Sequence, residues 1–347
     1  MELKQRITEM AGLMSISGHE NYDRAALLDQ LADIFDEVTT DPMGSHICIR
    51  RCGRQGAPKI LIDAHFDEIG MMVTEILDGG FLRVINIGGI DTRILQAGEV
   101  IIYGEKPIYG IIGSTPPHLQ KPGDAKKLKP INELLIDTGY DKDELEKLVR
   151  LGTPVGFVPA YTELLGGKLA GKGFDNKACG AAAVDALSRL DRAEMAGDVY
   201  LLLASQEEVG LRGGETGAAG IDPDYALVVD VTHGSAPDTK KDEAFPLGEG
   251  ITISLSAATD LRLTRRTVEL AREKGIKFTR VVEAANTGTD ANVTQLVCCG
   301  IPTVVASLPL RSMHTYQEVL SPDDAEELGK LISAFVCDTK IAEDFAR

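Results

Sequence analysis

The chain has 347 residues, of which 44% are hydrophobic and 26% charged, and a formal charge of −17; this allows a sizeable core in one large domain or two. The negative charge argues against a nucleic-acid backbone or an anionic membrane surface as partner. Trp is absent and aromatic residues make up 5%, so the core is aliphatic and no stacking platform for bases or sugars is evident.

The N-terminal MELKQRITEMAGLM is amphipathic and charged throughout, unlike the apolar centre of a signal peptide. No stretch approaches the roughly 18 apolar residues of a membrane span. Cys48, Cys52, Cys179, Cys298, Cys299 and Cys337 form no CxxC pair and read as reduced residues, which places the chain in the cytoplasm. Residues 1–37 have Leu27, Leu28, Leu31, Ile34 and Phe35 at helical spacing, with Ser17-Gly18 as a break between two helices. His19, at that break, reads as a capping or surface residue.

Two β-like runs follow, residues 46–50 and 59–64. The second ends in His65-Phe66-Asp67-Glu68. An H-x-D at a strand end lets the histidine hold a metal through one ring nitrogen while the carboxylate accepts from the other. From 70 to 161 short β-like runs (81–87, 99–103, 109–113, 155–158) alternate with Gly and Pro, the texture of an inserted β-rich module. Within it Ser114–Lys127 reads as a mobile loop with His118 exposed.

The stretch GGKLAGKGFD at 166–175 nearly matches a phosphate loop, but Gly173 stands where the Ser or Thr is needed and no clear strand leads in. Nucleotide binding is rejected there. Asp175 instead opens a helix with Val184, Leu187 and Leu190 on one face. The apolar run 200–204 then stops abruptly at Ser205-Gln206-Glu207-Glu208. Two adjacent carboxylates at the mouth of a buried strand are costly to desolvate unless positive charge sits beside them. The run 225–230 repeats the design, ending in Asp230, and 231–238 reads as a turn; His233 is not taken as a ligand. A strand at 251–255, helices at 263–274 and 291–297, a strand at 303–308 leading toward His314, and a helix at 322–335 complete the chain.

Each of these polar strand ends has an ordinary explanation alone. Together, four apolar strands end in metal-competent residues (His65, Glu207/Glu208, Asp230 and His314), and Asp175 starts a helix. In α/β sheets, sites form beyond the carboxyl ends of the strands. Imidazole and carboxylate without thiolate suit a hydrolytic Zn²⁺, Co²⁺ or Mn²⁺ site rather than a structural zinc. Five ligands suffice for two metals if one carboxylate bridges, while a further carboxylate stays free to take a proton from an activated water. Glu207 and Glu208 suit those two jobs, provided that the strand ends or bulges there so that both reach the site.

HFDEIG (65–70), GKGFDNKACG (171–180), SQEEVGLRGG (205–214), DVTHGSAPD (230–238), GTDAN (288–292) and RSMHTYQEV (311–319) together resemble the co-catalytic aminopeptidases of metallopeptidase family forty-two. That family includes TET and glutamyl aminopeptidases, and some members are labelled endoglucanase. The resemblance spans nearly the whole chain. It differs at Lys177, Gly214 and Ser312, where members usually carry Arg, Ala and often Tyr. It implies an α/β fold: a mixed-sheet, zinc-aminopeptidase-like catalytic domain formed by 1–69 and 162–347, with 70–161 as an inserted small β-rich, barrel or PDZ-like, oligomerisation domain. By that resemblance His65 and Asp230 bind one metal, Glu208 and His314 the other, and Asp175 bridges. Asp67 orients His65, and Glu207 is the general base. The resemblance further implies two divalent ions per subunit, peptide substrates, dimers within a twelve-subunit tetrahedral shell, and a 114–127 loop that reaches a neighbour's site.

The expected activity is therefore removal of N-terminal residues from peptides. Rival readings are a deacylase of non-peptide amides, a glycosidase using Glu207 with a second carboxylate, and a non-catalytic peptide-binding shell. A glycosidase needs paired carboxyls and usually no metal.

Overall fold

The computed structural model describes residues 1–114, 116–119, 129–237, 239–240 and 243–347. Most of the 114–127 loop lies outside the described residues, as does Asp238 of the stretch expected to turn. The architecture is mixed α/β. It combines a large mixed sheet, eleven-stranded among the described residues, with a separate closed barrel of six antiparallel strands.

Four parallel strands form the centre of the sheet, in the order Asp198–Ala204, Lys59–His65, Tyr225–His233 and Thr303–Arg311. Antiparallel strands extend it on both sides: Glu37–Thr40 and His46–Arg50 at one edge, Glu318–Leu320, Leu169–Gly171 and Thr162–Glu163 at the other. The central strands are apolar on both faces because both are covered. Ile60, Ile62, Ala64, Leu201 and Leu203 join the core beneath helices Leu3–Gly12, Phe174–Arg189 and Pro322–Cys337. The alternate residues Leu61, Leu202 and Ala204 pack under helix Arg212–Ile221. A period of two along each strand separates the two sets.

Helix Arg212–Ile221 lies unusually close to the sheet. A Cβ on Gly213 would fall 2.3 Å from the Ser205 carbonyl oxygen and 2.4 Å from its nitrogen, so only glycine fits. That approach pulls the chain back on itself directly after the central strand, where the two glutamates lie.

The barrel is built from Gly70–Ile76, Phe81–Ile87, Glu99–Tyr103, Pro107–Ile112, Ile136–Asp137 and Pro154–Phe157. It has its own core, including Met71, Val84, Ile102, Ile136 and Val155. It leaves the sheet just after the His65 strand, so its first turn begins at the mouth of the site.

Several local expectations change. Tyr225–His233 continues as strand through residues expected to turn, because Thr232 and His233 pair with Pro309 and Leu310 of a neighbour that is itself longer than expected. The glycine-rich stretch 166–175 itself contains a short strand, Leu169–Gly171, paired antiparallel with Thr162–Glu163 and Glu318–Leu320. Helix Phe174–Arg189 is buried around most of its circumference rather than on one face. Strand Phe278–Glu283 and the final helix Thr339–Phe345 carry little apolar periodicity and were not expected. No helix among the described residues is long and apolar enough to cross a membrane.

Candidate active site

The carboxyl ends of the parallel strands lie at one end of the sheet, and all seven of the expected side chains meet there. His65 ends its strand and is buried, as are Asp175 and Asp230. His65 Nε2 lies 3.1 Å from Asp175 Oδ1, 3.7 Å from Asp230 Oδ1 and 3.9 Å from Glu207 Oε2. His314 Nε2 lies 3.6 Å from Asp175 Oδ2 and 3.4 Å from Glu208 Oε2. Two groups result, His65/Asp175/Asp230 and Asp175/Glu208/His314, each with ligand atoms within 4.8 Å of one another. Asp175 belongs to both and turns a different oxygen to each.

The backbone explains how scattered residues reach these positions. After Ala204 the chain leaves the strand, and Gln206 takes a left-handed φ of 56°. The next turn is closed by the N–H groups of Gly210 and Leu211 donating to the Glu207 carbonyl. Because the strand has ended, the side chains of Glu207 and Glu208 are not forced to opposite faces. Their N–H groups donate to the two oxygens of Asp67, at 2.9 and 3.2 Å, and Ser17 Oγ donates to Asp67 Oδ2 at 2.6 Å. His65 Nδ1 lies 3.0 Å from the Asp67 carbonyl oxygen and 3.5 Å from its carboxylate. Asp67 therefore fixes the ring mainly through its backbone, while its carboxylate clamps the glutamate turn. Helix Phe174–Arg189 is irregular at its start. Asp175 has non-helical φ, ψ of −74° and 109°, and the Asp175–Asn176 peptide is cis. The Asp175 carboxylate oxygens face His65 and His314, so Asp175 is not a simple N-cap.

Electrostatically the site is over-supplied with acid. Asp67, Asp175, Glu207, Glu208 and Asp230 surround two histidines. Burial first, and then repulsion from Asp175 and its neighbours, raises Glu208 well above the usual carboxylate range. Burial with repulsion from Glu207 and Asp175 does the same to Asp230. Burial, opposed by His65, pushes Glu207 up to about 7. Burial alone would lower His65, but Glu207, Asp175, Asp67 and Asp230 together outweigh it and raise it. Like charges about 4 Å apart repel by roughly 4 kcal/mol at an effective dielectric of about 20. The lysines flanking Asp175 in sequence do not relieve this. Lys172 donates to both Glu68 oxygens at 2.7 Å, and Lys177 lies 3.2 Å from one of them. Three carboxylates and two imidazoles, split into two groups by a shared acid, are a donor set that fits a pair of divalent cations.

Sequence reading left out four acids near the site. Asp63, facing the same side of its strand as His65, is fully buried; it accepts from Thr294 Oγ1 at 3.2 Å and is pushed to about 7 by burial. Asp290 lies behind it, raised by burial and by Asp63, with neither oxygen hydrogen-bonded among the described residues. A charged residue inside an apolar strand was the available signal for Asp63, and the GTDAN motif for Asp290. Glu68 and Glu318, both buried, sit within motifs already singled out. His19, His118 and His233, set aside as ligands, are absent from both groups.

The family model described as M42 glutamyl aminopeptidase matches residues 44–331. Over 344 residues the chain is 33% identical to a lysyl aminopeptidase of Pyrococcus furiosus, covering 98% of this chain and 97% of that one. Its fold matches a TET aminopeptidase from Thaumarchaeota archaeon SCGC AB-539-E09 with a TM-score of 0.91 at 28% identity, over 99% of each chain. It also matches the Pyrococcus horikoshii TET1 peptidase, described as able to assemble into a tetrahedron or a large octahedral shell, with a TM-score of 0.83 at 30% identity, over 96% of this chain and 99% of that one. A match across most of its length, on a chain that also carries this acid-and-imidazole cluster, places the protein in the M42 glutamyl aminopeptidase family.

Proposed function

We propose that the protein is a dinuclear metallo-aminopeptidase that removes single residues from the N-termini of peptides. The observation that carries the reading is Asp175, one carboxylate offering an oxygen to each of two ligand groups. His65 and Asp230 complete one group, Glu208 and His314 the other, and zinc or cobalt suits this donor set, with manganese also accommodated. When bound, such a pair supplies Lewis-acid polarisation of the scissile carbonyl and acidifies water.

Glu207 takes the water's proton on a carboxylate oxygen and returns it to the departing amine nitrogen. Glu207 stands 3.9 Å from His65 and belongs to neither ligand group, which leaves its carboxylate free for both halves of that transfer. Asp67 holds Glu207 through its N–H and His65 through Nδ1, which keeps the base and the ligand in one frame. With five carboxylates, two dications and neutral histidines the site retains one net negative charge. That surplus supports recognition of a free, protonated α-amine and so cleavage from the end.

The reading extends to the whole chain. Residues 1–69 and 162–347 form the catalytic domain, and 70–161 is an insertion that mediates assembly of dimers into a tetrahedral dodecamer in the cytoplasm. The tetrahedron that the P. horikoshii TET1 peptidase can form supports this, as do Ile85, Tyr109 and Ile111, exposed on the barrel's outside. The test is hydrolysis of a panel of aminoacyl chromogenic amides by protein stripped with EDTA and refilled with Zn²⁺, Co²⁺ or Mn²⁺. Activity that vanishes on stripping and returns on refilling is expected. Activity indifferent to EDTA, or confined to N-acylated non-peptide amides, contradicts the reading.

A further inference from the structure

Glu318 lies four residues after His314 and is buried, with about 2% of its surface exposed. Its Oε2 accepts from the N–H of Phe174 at 2.7 Å and of Asp175 at 3.3 Å. These N–H groups belong to the first turn of a helix, where no intrahelical acceptor exists. An ordinary cap is local in sequence. Here the acceptor comes from more than 140 residues away, from the segment that also carries His314.

Met313 packs against the main core and Tyr316 against the barrel core and Phe157, but few hydrogen bonds hold the backbone that carries His314. Ser312 and His314 both have left-handed φ, 56° and 62°. The loop's internal hydrogen bonds are Thr315 Oγ1 to the Ser312 carbonyl at 2.7 Å and Gln317 N–H to Thr315 Oγ1 at 3.2 Å. The His314 side chain is 39% exposed. Sheet pairing resumes at Glu318 itself, opposite Gly171. Asp175 lacks helical φ and ψ, so the helix does not dictate where its carboxylate points. His65 and Asp230, by contrast, stand on adjoining parallel strands of fixed register.

We infer that Glu318 is a positioning residue for the second ion site: its carboxylate bridges the Asp175 backbone to the His314 segment and sets the spacing of the Asp175/Glu208/His314 group. Without it, His65 and Asp230 keep their places while Asp175 and His314 lose their common anchor. The inference rests on the two-ion reading above and adds a residue that touches neither ion.

The experiment is calorimetric titration of Zn²⁺, repeated with Co²⁺ and its visible absorption, into chelator-stripped wild type, Glu318→Ala and Glu318→Gln. In Glu318→Ala the second ion binds at least about tenfold more weakly, the scale of losing an outer-shell support, while the first, which shares Asp175 but keeps His65 and Asp230, loses clearly less. Glu318→Gln retains an oxygen acceptor and restores the second ion to within about threefold. Retained first-ion binding shows that the variant is folded. Equal weakening of both ions in Glu318→Ala, unchanged binding of both, or a Gln variant as weak as the Ala variant each overturns the inference. A wild type that binds no ion contradicts the two-ion reading itself, a result distinct from all of these.

Discussion

At the scale of single residues, Glu207 and Glu208 are neighbours with different proposed tasks because they face different partners. Glu208 Oε2 lies 3.4 Å from His314, whereas Glu207 Oε2 stands 3.9 Å from His65. Glu207→Gln keeps the volume and removes the proton acceptor. Turnover is expected to fall by about 10²- to 10⁴-fold, while metal content, measured by plasma mass spectrometry, stays at wild-type level. Retained turnover removes Glu207 from its role. The same variant reports on the charge crowding. In the stripped protein the Glu207 carboxyl is raised from 4.5 to about 7. An acid with a raised folded value binds more protons folded than unfolded between those limits, so stability falls as pH rises through that window. By urea unfolding in EDTA, Glu207→Gln is expected to match wild type at pH 4 and exceed it at pH 8 by up to roughly 3 kcal/mol. Equal stability at both pH values contradicts that account of the site.

At the scale of elements, the barrel and the sheet meet over the second ligand group. A Cβ on Gly89, in the barrel turn after Phe81–Ile87, would fall 2.9 Å from His314 Nδ1 and 3.2 Å from its Cε1. The His314 ring is partly exposed and can swing away, so Gly89→Ala should displace a ligand rather than unfold the chain. We expect kcat/KM to fall about tenfold or more with a stability change under about 1 kcal/mol, measured by steady-state kinetics and urea unfolding. Wild-type kinetics in this variant contradict the placement of His314. The elements also show how far sequence reading reaches. The central strands were legible because continuous apolar runs ending in polar residues mark buried parallel strands, and those runs led to four of the five proposed ligands, with Asp175 on a helix start instead. Strand Phe278–Glu283 was not, because an exposed edge strand of FTRVVE has no buried face to impose periodicity. Strand Glu318–Leu320 is three residues long, too short to show a period. The support from Asp67 was read as a carboxylate on His65. Only the folded turn shows that the carbonyl lies nearer the ring and that the carboxylate is taken up by two N–H groups.

At the scale of the whole molecule, the barrel displays Ile85, Tyr109 and Ile111 at 48, 52 and 45% exposure. Tyr109 and Ile111, alternate residues of strand Pro107–Ile112, share one outer face, and exposed apolar side chains suit an interface. Twelve copies of the 37.2 kDa chain give about 450 kDa, and a closed assembly of that order is expected by multi-angle light scattering. Replacing Tyr109 and Ile111 with Asp should lower the mass without removing ions from the subunit. A monomer at micromolar concentration contradicts the proposed assembly but leaves the subunit's chemistry untouched. The proposed chemistry depends on remote parts of the chain converging to hold two cations. The most direct measurement is anomalous diffraction at the zinc absorption edge from zinc-loaded crystals. Two peaks about 3.5–4 Å apart are predicted, both contacting Asp175, one flanked by His65 and Asp230 and the other by Glu208 and His314. A single peak there, or zinc bound only elsewhere on the molecule, would contradict the account.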